Sequence, residues 1–281
     1  MKIYLIIYFM IYQTACISQI NPDFYFAPNG VTCLCPNADI GDSGTLFING
    51  ETKTFTKRTR AQLVSLIQAD EFDPQIALTC TTGILNMANL FENKENFNQN
   101  ISSWDVSNVT DMSEMFFNAE SFNKPLNSWN VSSVTTMLKT FAGAKAFNQP
   151  LNNWNVSSVT NMYGMFAGAE LFNQILNNWN VSNVINTSST FSGMNSMFSN
   201  ALSYNQPLNN WDVSNLTEIR SMFANAESFN QSINDWDVGN VTNIELLFND
   251  AISFNQPLNN WDVLNVITMA GTFKDAESFD Q

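Results

Sequence analysis

The chain has 281 residues, 44% of them hydrophobic and only 13% charged, with a net charge of −14. That length and apolar content suffice for a large core, which excludes disorder as the default state. The acidic balance excludes nucleic acid as a partner and argues against anionic membrane surfaces, because both call for basic stripes.

Residues 1–18 read as an export signal, with Lys2 as its positive end and Ile3 to Tyr12 as an apolar stretch too short to span a bilayer. Two processing routes fit. Thr14-Ala15-Cys16 looks like the end of a bacterial lipobox, which would place a lipid anchor on Cys16, although Gln13 stands where that motif wants a branched aliphatic residue. Cleavage after Ser18 is the alternative. Either route predicts a mature chain that is secreted or held at the cell surface, and no later stretch is apolar enough to cross a membrane.

Residues 19–83 form a region of different character. Thr45-Leu46-Phe47-Ile48, Asn49-Gly50 and Glu51-Thr52-Lys53-Thr54-Phe55 spell a β-hairpin with a type I′ turn. Arg60 to Gln68 has a helical pattern, with Leu63, Leu66 and Ile67 on one side and Thr59 as the cap. A stacked repeat exposes an apolar end unless something closes it, so this region is expected to be an N-terminal cap. In an exported chain the natural reading of Cys33, Cys35 and Cys80 is a disulfide, and near neighbours pair poorly, which leaves Cys80 with Cys33 or Cys35. Zinc would need a fourth ligand, and the chain has no histidine.

From residue 84 to 281 the chain repeats. Trp104, Trp129, Trp154 and Trp179 stand 25 residues apart, and Trp211, Trp236 and Trp261 resume that period after one gap of 32. Valine always follows two residues later, as Val106 or Val156, and phenylalanine twelve residues later, as Phe116, Phe166 or Phe191. A leucine or isoleucine precedes each Trp by three positions, and the spacing Leu-x-x-Trp-x-Val has the rhythm of a leucine-rich-repeat strand. Met162, Met165, Phe166 and Ala169 then step by three and four, as on one face of a short helix. The predicted fold is an α/β repeat solenoid of about eight coils, each with a short parallel strand and a short helix. An asparagine after the aromatic (Asn98, Asn123, Asn148, Asn173, Asn205, Asn230, Asn255) marks the turn, where its amide can bond the next coil. The seven extra residues before Trp211 are expected to lengthen one helix by two turns into a local bump over Ser192 to Asn200.

No cluster of catalytic residue types emerges, so the chain reads as a non-enzyme with no cofactor. Asp105, Asp212, Asp237 and Asp262 follow a Trp and could form a calcium column, but Asn130, Asn155 and Asn180 interrupt it. Recurring methionines such as Met112, Met137 and Met162 belong to the core. Asn-Val-Ser and Asn-Val-Thr sequons, at Asn130 and Asn240 among others, arise from the repeat and would be modified only in a eukaryotic secretory pathway. On the Trp side the outward residues barely vary, and Asn153, Asn178 and Asn210 with Ser157, Ser182 and Ser214 form a candidate ligand face. A uniform amide face suits a repetitive glycan, whereas the more varied opposite side suits a specific protein.

The unit W-D-V-S-N-V-T-N-M-x-x-M-F-x-x-A-x-x-F-N-Q-P-L-N-N resembles the surface-protein repeat of the BspA-like leucine-rich-repeat family, also called the DUF285 repeat, over residues 84–281. The stretches Asn29-Gly30-Val31-Thr32-Cys33 and Gly41-Asp42-Ser43-Gly44-Thr45 look like the leader found ahead of such arrays. The resemblance implies adhesion, or binding of an extracellular protein or glycan, and carries over no catalytic residue. The end at Gln281, midway through a unit, reads as truncation. The alternative function is therefore an accessory region of a larger extracellular enzyme or metal-binding protein.

Overall fold

The computed structural model describes residues 21–48 and 50–281, so the export signal, the candidate lipid anchor Cys16 and the turn residue Asn49 lie outside the described residues. Two short strands, β1 (Tyr25–Phe26) and β2 (Cys33–Leu34), pair antiparallel. Strands β3 (Ser43–Ile48) and β4 (Glu51–Lys57) form a hairpin in which Ile48 faces Glu51, and Gly50 has φ +83°. That left-handed backbone is open to glycine without a Cβ penalty. Helix α1 (Arg60–Ala69) starts in a capping box: Thr59 accepts from the Gln62 N–H, and Gln62 Oε1 accepts from the Thr59 N–H at 2.9 Å. Strand β5 (Thr79–Cys80) then pairs parallel to β4, in sheet order β3-β4-β5.

Cys35 is joined to Cys80, while Cys33 is buried and free. Burial, and secondarily the nearby Asp105 carboxylate, push the Cys33 thiol up to about 12, so it sits there as an uncharged apolar side chain. From α1, Leu63 and Ile67 enter the same core as the first coil of the repeat. Arg60 donates from its guanidinium to the carbonyls of Asn86 and Ala88. Those carbonyls are the first-coil counterparts of Asp111 and Ser113, whose carbonyls accept from the preceding coil's Met87 and Asn89. One arginine thus supplies donors that a preceding coil would have supplied.

Within the array each coil packs on the next. Rings of Phe91, Phe116, Phe141, Phe166, Phe198, Phe223, Phe248 and Phe273 form one stack, with centroids 5.3–5.8 Å apart. A second stack runs from Phe97 through Phe122, Phe147, Phe172, Tyr204, Phe229 and Phe254 to Phe279. Trp129, Trp154 and Trp179 lie nearly parallel at 6.4–6.5 Å. From Trp129 on, each indole N–H donates to the carbonyl three residues before the previous Trp, as in Trp154 to Leu126 (3.0 Å), and Trp104 donates to Ile76, so the buried rings leave no polar atom unpaired. The turn asparagines link up as well: Asn123 Oδ1 accepts from the Asn148 backbone N–H (3.1 Å) and from Gln149 Nε2 (2.8 Å), and the pattern recurs down to Gln281. That bonding explains why phenylalanine, asparagine and glutamine recur together.

The coils are built differently from the predicted strand and helix. Neither element occurs in the array. The Trp–Val segments are irregular, and parallel bridging lies about seven residues downstream, linking Asn86, Asp111, Thr136 and Asn161, and again Glu218, Asn243 and Thr268. Where a helix is expected, the backbone makes successive turns with two left-handed residues per coil, such as Glu114 and Asn118 or Gly164 and Gly168. Alternate N–H groups there donate to the next coil, Met137 to Asn161 and Lys139 to Tyr163, rather than four residues back. Apolar steps of three and four fit such turns as well as a helix, and residues like Lys139 or Leu246 at positive φ give no warning of it.

The insertion also differs. The regular register reaches Ile185, whose N–H donates to Thr160, and resumes at Gly193, whose carbonyl accepts from Met162. Residues 186–192 therefore loop out instead of extending a helix. Phe198 takes the stacked position, and Phe191, twelve residues after Trp179 and expected in the core, is 54% exposed. Asn186 repairs the gap, its Oδ1 accepting from the N–H groups of Thr217 (2.9 Å) and Glu218 (3.0 Å).

Candidate functional site

The candidate residues flank the Trp column, one row of the array outside the core. Asn153, Asn178 and Asn210 are exposed on successive coils. Their backbone is held by the row beside them: the Asn153 N–H donates to Asn127 Oδ1 and the Asn210 N–H to Asn177 Oδ1, each at 3.0 Å. Asn127 bonds Asn152 across coils (3.4 Å), and Asn177 bonds Asn209 (3.2 Å). The side-chain oxygens of Asn153 and Asn210 accept from their preceding residues at 3.3 Å. Their Nδ2 groups, and the Asn178 side chain, have no partner among the described residues and face water.

Ser157, Ser182 and Ser214 belong to the same surface but are half-buried, and their main task is local. Each donates its N–H to the residue after Trp: Ser157 to Asn155 (3.1 Å), Ser182 to Asn180 (3.2 Å) and Ser214 to Asp212 (3.1 Å). These are turns in which an Asn or Asp side chain substitutes for a backbone carbonyl. Asp and Asn are interchangeable in that role, which explains their alternation along the column. The Ser214 hydroxyl and N–H bonds hold the Asp212 carboxyl below its ordinary value, with partial burial opposing. The four aspartates each spend an oxygen on their own turn, and no group of three metal-ligating side chains occurs among the described residues.

Between the Trp179 and Trp211 coils the face dips into a shallow depression of about 320 Å³, lined by Asn177, Asn178, Asn180, Asn210 and Asp212 with the edge of Trp179 beneath. The structure thus brings Asn178 and Asn210 to one depression, with Asn153 one coil further along. On the first coil this surface is already covered. The Cys33 N–H donates to the Ser103 carbonyl (2.8 Å), Thr81 Oγ1 donates to the Asp105 carbonyl (2.9 Å), and Asn29 Nδ2 reaches the Ser128 carbonyl of the second coil (3.3 Å). Ser103 and Asp105 are buried in consequence. Nothing in the repeat pattern announces this cover, because its residues lie 70 or more positions upstream for Cys33 and Asn29.

The opposite side carries the bump, and its content differs from the expectation. Ser192 and Asn195 are buried, whereas Phe191 stands out, edge-on to Tyr163 at 5.1 Å with Lys139 Nζ 5.6 Å from its centroid. Lys139 is also paired with Glu114 (3.5 Å) and Arg220 with Glu245 (3.0 Å), so neither cation is free.

A comparison with family models finds three matches, to residues 63–162, 85–196 and 192–281, each to the model described as "Mycoplasma protein of unknown function, DUF285". No curated protein and no solved structure matches the chain. The matched stretches together run from Leu63, within helix α1, to Gln281 and take in every coil, and the chain belongs to the DUF285 family.

Proposed function

We propose that this chain is an exported, non-enzymatic binding protein, secreted or attached to the cell surface, whose coils form a leucine-rich-repeat-like solenoid of the BspA-like type. One observation supports it above others. The recurring Trp, Phe, Met and Gln side chains and the turn asparagines are consumed by packing and by coil-to-coil bonds, while Asn153, Asn178 and Asn210 present Nδ2 groups to water, the last two at a depression. A row of weak, repeated contacts yields useful affinity only through multiplicity, which suits adhesion to an extracellular protein or glycan. The region before the array serves as its cap, with Arg60, Leu63 and Ile67 closing the first coil.

The test replaces Asn153, Asn178 and Asn210 together by bulky charged residues and compares capture of matrix proteins and of arrayed glycans. Loss of binding with an unchanged melting temperature supports the face. Unchanged binding in that variant, with loss on deleting residues 186–192, moves the site to the opposite side.

A further inference from the structure

The cover over the first coil shows how this surface receives a polypeptide. The backbone N–H of Cys33 in strand β2 donates to the Ser103 carbonyl, and the Thr81 hydroxyl, from a separate segment, donates to the Asp105 carbonyl two positions on. Asn29 continues the contact to Ser128 on the second coil. Beyond it the same carbonyls, at Asn153, Asn178, Asn210 and Asp235, have no donor among the described residues. The exposed Nδ2 groups beside them offer donors at the same spacing.

The spacing matters. The rings of Trp129, Trp154 and Trp179 are 6.4–6.5 Å apart from coil to coil. Two residues of an extended chain span about 6.6–6.8 Å, so every second residue of a peptide laid along the axis meets a new coil. Its N–H groups would face the coil carbonyls, and its carbonyls the asparagine amides. Charge selects further, since the chain carries a net charge of −14 and the row ends among Asp212, Asp235, Asp237 and Asp262.

We propose that the Trp-side row from Asn153 to Asp237 binds an extended, net-positive polypeptide segment along the array axis, on the row of coil carbonyls whose first member, that of Ser103, accepts from the chain's own Cys33 N–H. This rests on the binding reading above and narrows its partner to a basic extended peptide rather than a glycan. The depression at Asn178 and Asn210 would receive one side chain of that segment.

The probe is a fluorescein-labelled alternating Lys-Thr peptide of about twelve residues, long enough to cross six coils at two residues each. Alongside it run a Glu-Thr version, a Lys-Thr version N-methylated at every second residue, and a glycan array. The Lys-Thr peptide is expected to bind, and N-methylation, which removes the donors, to weaken it by about tenfold or more. Asn153→Lys, Asn178→Lys and Asn210→Lys together should weaken it by a similar factor, while Asp at the same three positions should preserve or tighten it. Unaltered tryptophan fluorescence certifies folding of both variants, and the N-methylated peptide tests the idea with no protein variant at all. Equal binding of the N-methylated peptide, or equal loss in the Lys and Asp variants, overturns the proposal. Glycan binding without peptide binding overturns it and leaves the broader binding function standing. Binding of neither class, nor of matrix protein, removes both.

Discussion

In the N-terminal region, many backbone groups find their partners nearby: α1 bonds within itself, and β3 with β4, the next strand in the chain. In the array, the N–H groups of Met137, Lys139, Phe141 and Gly143 donate to Asn161, Tyr163, Met165 and Ala167 of the following coil. The first kind of element carries part of its own stability, whereas a coil has little structure without a neighbour. The two regions are nonetheless welded, because Leu63 and Ile67 share the core of the array. Damage to one coil should therefore spread, and damage to the cap should stay partly local.

The largest expected effect comes from Trp154→Ala. It empties a buried site in mid-array and removes the donor to Leu126, and should cost about 3–5 kcal/mol in urea unfolding. A loss under about 1 kcal/mol would mean that coils are more independent than the stacking implies. Next is reduction of Cys35–Cys80, which closes a loop of 45 residues. Stability should fall by about 2–4 kcal/mol. Hydrogen exchange should rise first in β4 and β5, with the amides of the Trp154 and Trp179 coils following last.

Gly168→Ala decides between turn and helix by its sign. Gly168 has φ +70°, and an added Cβ would meet only ordinary contacts at 3.6 Å. In a helix, alanine would be favoured by about 1 kcal/mol over glycine; here it should cost about 1–2 kcal/mol. A stabilised variant would restore the helical reading. Tyr204→Phe runs the other way. Tyr204 stands in a stack of phenylalanines, fully buried, and its hydroxyl has no partner among the described residues, so removing that oxygen should raise stability by about 1 kcal/mol. The most local effect is that of Thr59→Ala, which opens the capping box and should cost about 1 kcal/mol, read as faster exchange in the first turn of α1 alone. Spread of that exchange into the array would show that cap and coils form one cooperative unit.

Much of this molecule is local in origin, and that part is readable from residues alone. The 25-residue period names the buried Trp, Val and Phe positions, because a side chain that recurs in every unit meets its own copy in the next. The Asn49-Gly50 signal and Thr59 with Gln62 mark β3–β4 and α1, whose bonding is short-range. What the sequence leaves undecided depends on the neighbouring coil. Apolar steps of three and four describe a helix and a chain of left-handed turns equally well, and only the donation of alternate N–H groups to the next coil selects the turns. Likewise Phe191 and Phe198 are both eligible for the stack, and the register that resumes at Gly193 puts Phe198 inside. The choice of Cys35 over Cys33 as partner of Cys80, and the seating of residues 29–35 on the first coil, are likewise contacts between segments distant in the chain. Tertiary packing decides these because local propensities differ by about 1 kcal/mol or less per residue, below the roughly 1.5–3 kcal/mol that burying one aromatic side chain contributes.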